Sequence, residues 1–187
     1  MAVREKIDSK FLYFYDQGKS LESYNIFGAH LIKDDNGKNI ACEFCLYAPN
    51  AKKVEIVGEW NYFTRGEQEL FCVDPNGVWY AKLIGDYELK RYKYCITTKD
   101  DKILYKSDPY GFYASLRPLQ DSVVYNIEGY KWNDDYWMFT HPKTYEEPML
   151  IYEMHLGSWK RKGLGENGFY TYKEIAPMLI DYLKNYG

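Results

Sequence analysis

Long apolar runs, a basic excess and abundant cysteine are all missing from this 187-residue sequence, and each absence excludes a class of protein. A membrane-spanning helix needs about 20 consecutive apolar residues, and no such run occurs. The first ten residues contain no apolar core of a signal peptide, so we expect a cytoplasmic protein. Lys and Arg number 24 against 27 Asp and Glu, a balance that argues against nucleic acid or a membrane surface as a partner.

The four cysteines offer little chemistry. Cys42 and Cys45 form a Cys-x-x-Cys pair, a spacing found in zinc and redox sites. However, residues 40–48 are typical of a β-strand, in which positions three apart point to opposite faces. Because the two thiols would then diverge and no second pair occurs, we expect reduced, structural cysteines, no metal site and no cofactor.

Aromatic residues are what the sequence has in excess. Its 21 Tyr, 9 Phe and 5 Trp make up 19% of the chain. Tyr and Trp combine an apolar ring with a polar edge, which suits a carbohydrate-binding surface and equally a half-buried sheet. Composition alone therefore leaves both interpretations open.

Short strand-like runs separated by turn residues fill the middle of the chain. This spacing predicts an antiparallel β-sandwich of about 100 residues. Before the strands, Asp8–Gly18 predicts a short helix that Asp8 or Ser9 begins and Gly18 ends. The predicted strands cover residues 40–48, 53–58, 78–83, 91–98, 102–105 and 123–126.

The pattern changes in the last third of the chain. Residues 129–141 lack periodicity and predict a linker. Met149–Leu156 is a mostly apolar run that predicts a strand buried on both faces, as in a parallel sheet, and a Gly-rich loop, Gly157–Gly168, follows it.

A helix is predicted from about Tyr172 to Tyr186. Thr171 and Glu174 have the spacing of a capping box, although Pro177 could delay the start of the helix. A strand, a loop and a helix are half of a βαβ unit, so this region predicts the beginning of a second, α/β domain that has been cut off.

Four motifs in order connect the chain to a known family. Together they resemble the N-terminal part of the 1,4-α-glucan (glycogen) branching enzymes of the α-amylase superfamily, with a family 48 carbohydrate-binding module and the start of the catalytic barrel. The motifs occupy residues 24–30 (YNIFGAH), 47–63 (YAPNA…VEIVGEWNYF), 106–118 (KSDPYGFY…LRP) and 151–161 (IYEMHLGSWKR).

The resemblance implies a mainly β fold with four parts. These are an N-terminal helix and connector at 1–28, an immunoglobulin-like antiparallel β-sandwich module at 29–127, a linker at 128–148, and the first strand and helix of a truncated (β/α)₈ barrel at 149–187. It also implies α-glucan, as glycogen or maltooligosaccharide, and the missing barrel as partners.

The activity that the resemblance implies is branch formation in glycogen or starch. An α-1,4 bond is cut and the freed segment is transferred to a 6-hydroxyl, with two carboxyl groups roughly 5 Å apart in a retaining mechanism. In the family these carboxylates lie on later barrel strands, beyond Gly187, so we expect no catalytic residue here and no catalysis by the chain alone. The alternative is a free-standing, non-catalytic glucan-binding or regulatory module.

Carbohydrate-binding residues are carried over from the module family. Its first aromatic contact corresponds to Phe63, with Trp60 and Asn61 nearby, and its lysine corresponds to Lys93. The family usually has Trp at the position of Phe63, and the smaller Phe ring offers less area for stacking. The other reading is that Trp60 and Phe63 pack in or near the core of the domain.

Overall fold

The computed structural model describes residues 2–3, 7–141, 148, 150–165 and 168–186. Two compact units divide the chain, one spanning residues 1–131 and the other 132–187. Among the described residues, no helix has both the length and the apolar character needed to span a bilayer.

Unit 1 is a sandwich of two five-stranded sheets in which all pairs are antiparallel, which confirms the predicted fold class. The first sheet contains β1 (Ala2–Val3), β2 (Gly28–Lys33), β3 (Asn39–Tyr47), β5 (Phe71–Asp74) and β6 (Val78–Ile84). The second contains β4 (Ala51–Gly58), β7 (Arg91–Thr98), β8 (Ile103–Lys106), β9 (Tyr113–Ala114) and β10 (Ser122–Val123).

The main core lies between the two sheets and follows the alternation of the strands. Phe44 of β3 and Tyr92 of β7 are fully buried there, with ring centres 5.2 Å apart. Alternate residues of a strand share a face, so each central strand contributes every second side chain to this core. Its other fully buried members include Cys42, Val54, Ile56, Leu70, Leu83, Tyr94 and Val124.

A second apolar layer covers the opposite face of the first sheet. Cys45 belongs to this layer, whereas Cys42 belongs to the main core, so the two thiols point to opposite faces as predicted. Helix α1 (Ser9–Asp16) closes the layer by packing Phe11 and Tyr15 onto it. Burial of β3 on both faces makes it the central strand of the unit.

Helix α1 begins and ends as its sequence predicts. Asp8 is the N-cap, and its Oδ1 accepts a hydrogen bond from the Lys10 backbone N–H at 3.0 Å. Gly18 follows the helix with a φ of +64°, and the Lys19 N–H returns to the Phe14 carbonyl at 2.9 Å.

The sequence patterns did not predict β2, β5 or the crossing between the sheets. Residues 68–70 first pair with the edge of β4, where the Ile56 N–H donates to the Gln68 carbonyl and the Leu70 N–H to the Val54 carbonyl. The chain then enters the first sheet as β5, pairing with β6. Residues 68–74 show no alternation of apolar and polar residues, because they pair first with one sheet and then with the other.

Unit 2 differs more from its prediction. Met149 lies outside the described residues, and residues 150–155 are irregular instead of forming the predicted strand; a short helix, α3 (Leu156–Trp159), then occupies the start of the predicted loop. A parallel strand needs a neighbouring strand for its backbone N–H and C=O groups, and none pairs with this segment among the described residues.

The helices of unit 2 correct one prediction and confirm another. The predicted linker over residues 129–141 contains a helix, α2 (Asp135–Thr140). Helix α4 (Tyr172–Lys184) begins at the predicted capping box, in which Thr171 and Glu174 bond reciprocally. It starts without the delay that Pro177 suggested, with the proline inside the helix.

Two glycines provide a test of the sandwich. Gly77 has a φ of +99°, and a Cβ there would lie 2.2 Å from the Pro49 Cα; Gly37 has a φ of +78° with open space around it. Gly37→Ala should cost about 1 kcal/mol from backbone strain alone, whereas Gly77→Ala should cost about 1–3 kcal/mol more from the added collision. Urea unfolding followed by tryptophan fluorescence measures both, and equal losses of stability would contradict this packing.

Candidate carbohydrate-binding site

Trp60 packs at the edge of the main core. It belongs to the short 3₁₀ turn Glu59–Asn61 that follows β4, and its indole N–H donates to Gln68 Oε1. Its ring centre lies 4.8 Å from that of Tyr87 and 6.1 Å from that of Phe44. These contacts hold the ring against the protein, so Trp60 supports the turn instead of forming an open platform.

Asn61 is also buried and hydrogen-bonded within the protein. Its Oδ1 accepts from the Gly58 N–H at 2.9 Å, and its Nδ2 donates to the Ile56 carbonyl and to Gln68 Oε1. These bonds shape the turn. The two residues that follow, Tyr62 and Phe63, adopt φ values of +52° and +56°, a conformation that side chains disfavour unless the surroundings impose it.

Phe63 and Lys93 are linked through Arg91 and Asp121 on the outward face of the second sheet. Along β7, Tyr92 and Tyr94 face the core, so Arg91 and Lys93 point outward. The Arg91 guanidinium lies 5.9 Å from the Phe63 ring centre. Asp121 links the two cations, since its Oδ1 lies 3.0 Å from Lys93 Nζ and its Oδ2 lies 3.3 Å from Arg91 Nη1. We call Phe63, Arg91, Lys93 and Asp121 the Phe63 patch.

The structure adds residues to this site that sequence reasoning missed. Glu59 accepts from Arg91 Nε at 2.8 Å and so fixes the guanidinium beside Phe63. Tyr62, next to Phe63, exposes 91% of its surface. The alternation of side chains along β7 would have been enough to place Arg91 on the same face as Lys93. Glu59 and Asp121 lie far from β7 in the sequence, so no sequence pattern indicates that they contact Arg91.

Arg91 of the patch and the neighbouring Glu59 stabilise each other's charged forms. The hydrogen bond from the Arg91 side chain, supported by the Arg91 backbone N–H, lowers the pKa of Glu59, and the same pairing raises the pKa of Arg91. Both groups therefore stay ionised over the whole physiological range. An aromatic ring bordered by fixed donors and acceptors can stack on the apolar face of a sugar and bond its hydroxyls.

A buried carboxylate anchors the loop that carries Phe63. Glu55 of β4 accepts from the Arg65 side chain at 2.9 Å and from the Gly66 N–H at 2.8 Å, and Lys53 Nζ lies 3.2 Å away. Burial by itself would raise the pKa of Glu55, but these donors outweigh it and hold the pKa below its ordinary value. The loop is thus tied to the outward face of the sheet.

Asp108 is a second buried carboxyl group that anchors a loop, on the inward face of the second sheet. Its Oδ2 accepts from the hydroxyls of Tyr92 and Tyr94 at 2.6 and 3.1 Å, and its Oδ1 accepts from the Tyr110 N–H at 2.8 Å. The bond to Tyr110 closes a turn around Pro109, in which the Asp side chain accepts from the backbone two residues on. Burial raises the pKa of this carboxyl, and the three donors only partly oppose it.

Unit 1 is thus a two-sheet antiparallel sandwich with an aromatic and charged patch on one outward face. Residues 26–111 match the family model of carbohydrate-binding module 48, described as the isoamylase N-terminal domain. This segment is therefore similar to the family 48 modules.

Relatives that match nearly the whole chain indicate a narrower group of proteins than the module family does. The chain is 44% identical over 178 residues to a 1,4-alpha-glucan branching enzyme GlgB of Geobacillus stearothermophilus, covering 94% of this chain and 27% of that protein. A GlgB of Bacillus subtilis is 40% identical, covering 94% and 28%. The chain is thus related to the 1,4-alpha-glucan branching enzymes along nearly its whole length, as the motifs indicated, and it spans about a quarter of the curated relatives it matches.

The solved structures that match the chain include a pullulanase from Bacillus acidopullulyticus. It is 25% identical, with a TM-score of 0.42, and the match covers 54% of this chain and 12% of that one.

The Glu55 anchor predicts a pH dependence. Because the pKa of Glu55 is lowered in the folded protein, its stabilising effect is present above its ordinary pKa of 4.5 and is lost as pH falls through the folded value. Glu55→Gln should lower the free energy of unfolding by about 1–3 kcal/mol at pH 7, because the buried carboxylate that accepts from Arg65 and the Gly66 N–H is lost, and it should flatten the acid decline. Urea unfolding between pH 7 and 3 measures this effect.

Glu69→Gln provides the matched control. Glu69 contacts the same lysine, Lys53, at 3.3 Å, but its side chain is 56% exposed. Its loss should therefore change stability by less than about 1 kcal/mol. Equal effects of the two substitutions would show that Glu55 is not the anchor of the loop.

Proposed function

We propose that this chain contributes the carbohydrate-binding part of a 1,4-α-glucan branching enzyme, which forms α-1,6 branches by transferring α-1,4-linked glucan segments. The observation that carries the proposal is 40–44% identity to such enzymes over 94% of the chain. The corresponding process is glycogen biosynthesis in the cytoplasm, and the four free thiols suit a reducing compartment.

We assign no catalytic residue to the described part of the chain. A retaining transfer uses two carboxyl groups roughly 5 Å apart, one as nucleophile and one as acid/base. The buried acidic groups described here are already bound within the module: Glu55 by Arg65, Asp108 by two tyrosines, and Asp121 by Arg91 and Lys93. The reacting carboxylates would come from the catalytic barrel of the enzyme.

The Phe63 patch would hold the glucan. The apolar face of a glucosyl unit would stack on Phe63, while Lys93 and Arg91 would donate to its hydroxyls and Asp121 would accept from them. Trp60 and Asn61 would act indirectly, since their bonds to Gln68 and to the β4 backbone set the turn that presents Phe63. The ligand would be glycogen or a maltooligosaccharide.

The barrel itself is the proposed partner of unit 2. Leu150 and Ile151 expose 87% and 83% of their surfaces, and they line an apolar groove together with residues of α4, among them Tyr182 and Leu183. Apolar residues exposed in this way mark an interaction surface. Neither a nucleic acid nor a membrane is proposed as a partner.

The alternative function is a free-standing glucan-binding or regulatory module. The self-contained core of unit 1, built around Phe44 and Tyr92, favours it, because such a unit does not need a barrel to bury its apolar residues. The two functions share the Phe63 patch and differ in catalysis. The conversion of amylose to a branched product, followed by iodine staining, separates an enzyme that contains this chain from a binding module.

Binding of β-cyclodextrin, a cyclic α-1,4-glucan, tests the patch. Phe63→Ala should weaken binding about tenfold, because the stacking surface is lost and tenfold corresponds to 1.4 kcal/mol. Tyr13→Ala removes an aromatic residue that is 63% exposed on α1 and should leave affinity unchanged. Isothermal titration calorimetry measures both variants. No binding at millimolar ligand, or an unaffected Phe63→Ala variant, would refute the patch as the site.

A further inference from the structure

A cleft of about 270 Å³ lies in unit 1 beside β2, outside the Phe63 patch. Residues 24–25 and 29–31 form one side of it, and residues 112 and 125–128 complete it. The first and third motifs of the sequence therefore meet here, although they are about eighty residues apart and the patch uses neither. Its polar and aromatic lining includes Tyr24, His30, Phe112, Tyr125, Asn126 and Glu128.

Close backbone packing forms the cleft in advance of any ligand. Gly28 has a φ of +106°, and a Cβ there would lie 2.9 Å from the Tyr110 carbonyl oxygen, so a larger residue would push residues 110–112 away from β2. His30 is fixed by Nε2, 3.0 Å from the Phe27 carbonyl oxygen, and by the Phe112 ring, whose centre lies 5.4 Å away. A site held in this way loses little entropy on binding.

The lining combines ring surfaces with hydrogen-bonding groups. Tyr24 and Tyr125 are 47% and 41% exposed, and Tyr125 is braced on one side by the stacked ring of Tyr113 at 5.1 Å. Asn126 Oδ1 accepts from the Glu128 N–H, whereas its Nδ2 has no partner among the described residues. The Asn126 amide is therefore available to donate. The Glu128 carboxylate has its Oε2 3.6 Å from Lys33 Nζ and can accept through its other oxygen.

The charge and size of the cleft select among ligands. None of the described residues lining it is Lys or Arg, and Lys33, whose Nζ lies 3.6 Å from the Glu128 carboxylate, is already paired, so the lining offers no unpaired cation to an anion. Its volume is just below the range of about 300–1,000 Å³ typical of small-molecule sites, so it would take a short group and not the length of a chain. Ring surfaces with neutral donors and acceptors suit a sugar.

We propose that this cleft binds the terminal glucosyl unit of an α-glucan chain, as a second site separate from the Phe63 patch. The inference rests on the proposed function only in taking α-glucan as the ligand. The patch is an outward sheet face that a chain can cross, whereas the cleft is a concave site that admits a chain end.

Titrations of the full chain with maltotriose and with β-cyclodextrin, followed by amide NMR, test the proposal, because only maltotriose has chain ends. Maltotriose should shift the amide signals of residues 24–31 and 125–128, and β-cyclodextrin should leave them unmoved. Asn126→Ala and Tyr24→Ala should each raise the maltotriose Kd at the cleft about fivefold. Tyr13→Ala and Phe63→Ala should leave the cleft signals unchanged, and the dispersion of each spectrum verifies folding.

The outcomes separate this inference from the proposed function. Shifts confined to the Phe63 patch would overturn the cleft site and leave the patch standing. Equal movement of the cleft signals with β-cyclodextrin would also overturn it, since a chain end would not be needed. Cleft shifts with maltotriose but no binding of β-cyclodextrin would support the cleft and refute the patch. No shift with either sugar would overturn both.

Discussion

Two buried tyrosine hydroxyls set the main constraint on unit 1. Tyr92 and Tyr94 are fully buried in the core, and a buried hydroxyl without a partner would cost about 1–3 kcal/mol. Asp108 accepts from both, and its own backbone N–H donates to Ser122 Oγ at 2.8 Å. Asp108 thus ties β7 to the turn at Tyr110 through its carboxyl group and to β10 through its backbone N–H. The inward residues of β7 fix the core, and the same alternation directs Arg91 and Lys93 outward into the Phe63 patch.

The parts of the structure that follow local rules could be predicted from the sequence. The alternation of β3 separated Cys42 from Cys45, and the caps of α1 and α4 were evident from Asp8 and Thr171. Parts that depend on distant partners could not be predicted. The 68–70 segment pairs with one sheet before joining the other, and the apolar residues 150–155 do not form a strand without a neighbouring strand.

The candidate site shows the same limit at the level of single side chains. Trp60, Asn61 and Phe63 lie within four positions of each other, yet the first two turn inward and the third reaches the outward face. The two left-handed residues, Tyr62 and Phe63, reverse the direction of the chain after the 3₁₀ turn. Non-glycine residues rarely adopt this conformation, so no spacing rule would place it there. The motif therefore indicates only the segment that carries the candidate site, and the bonds of Asn61 and Gln68 show that the Phe63 ring, not the Trp60 ring, faces outward.

The shapes of the two proposed sites suit different parts of a branched glucan. An outward sheet face can contact the middle of a chain, whereas a concave cleft admits an end, and a branched polymer offers many ends close to its chain segments. When two weak sites engage the same polymer, the second binding event is intramolecular, and overall affinity can exceed that of either site by 10²–10⁴ if the geometry permits. The module would then need no strong single contact. This is consistent with a patch that has the smaller phenylalanine ring and cations already paired with Asp121.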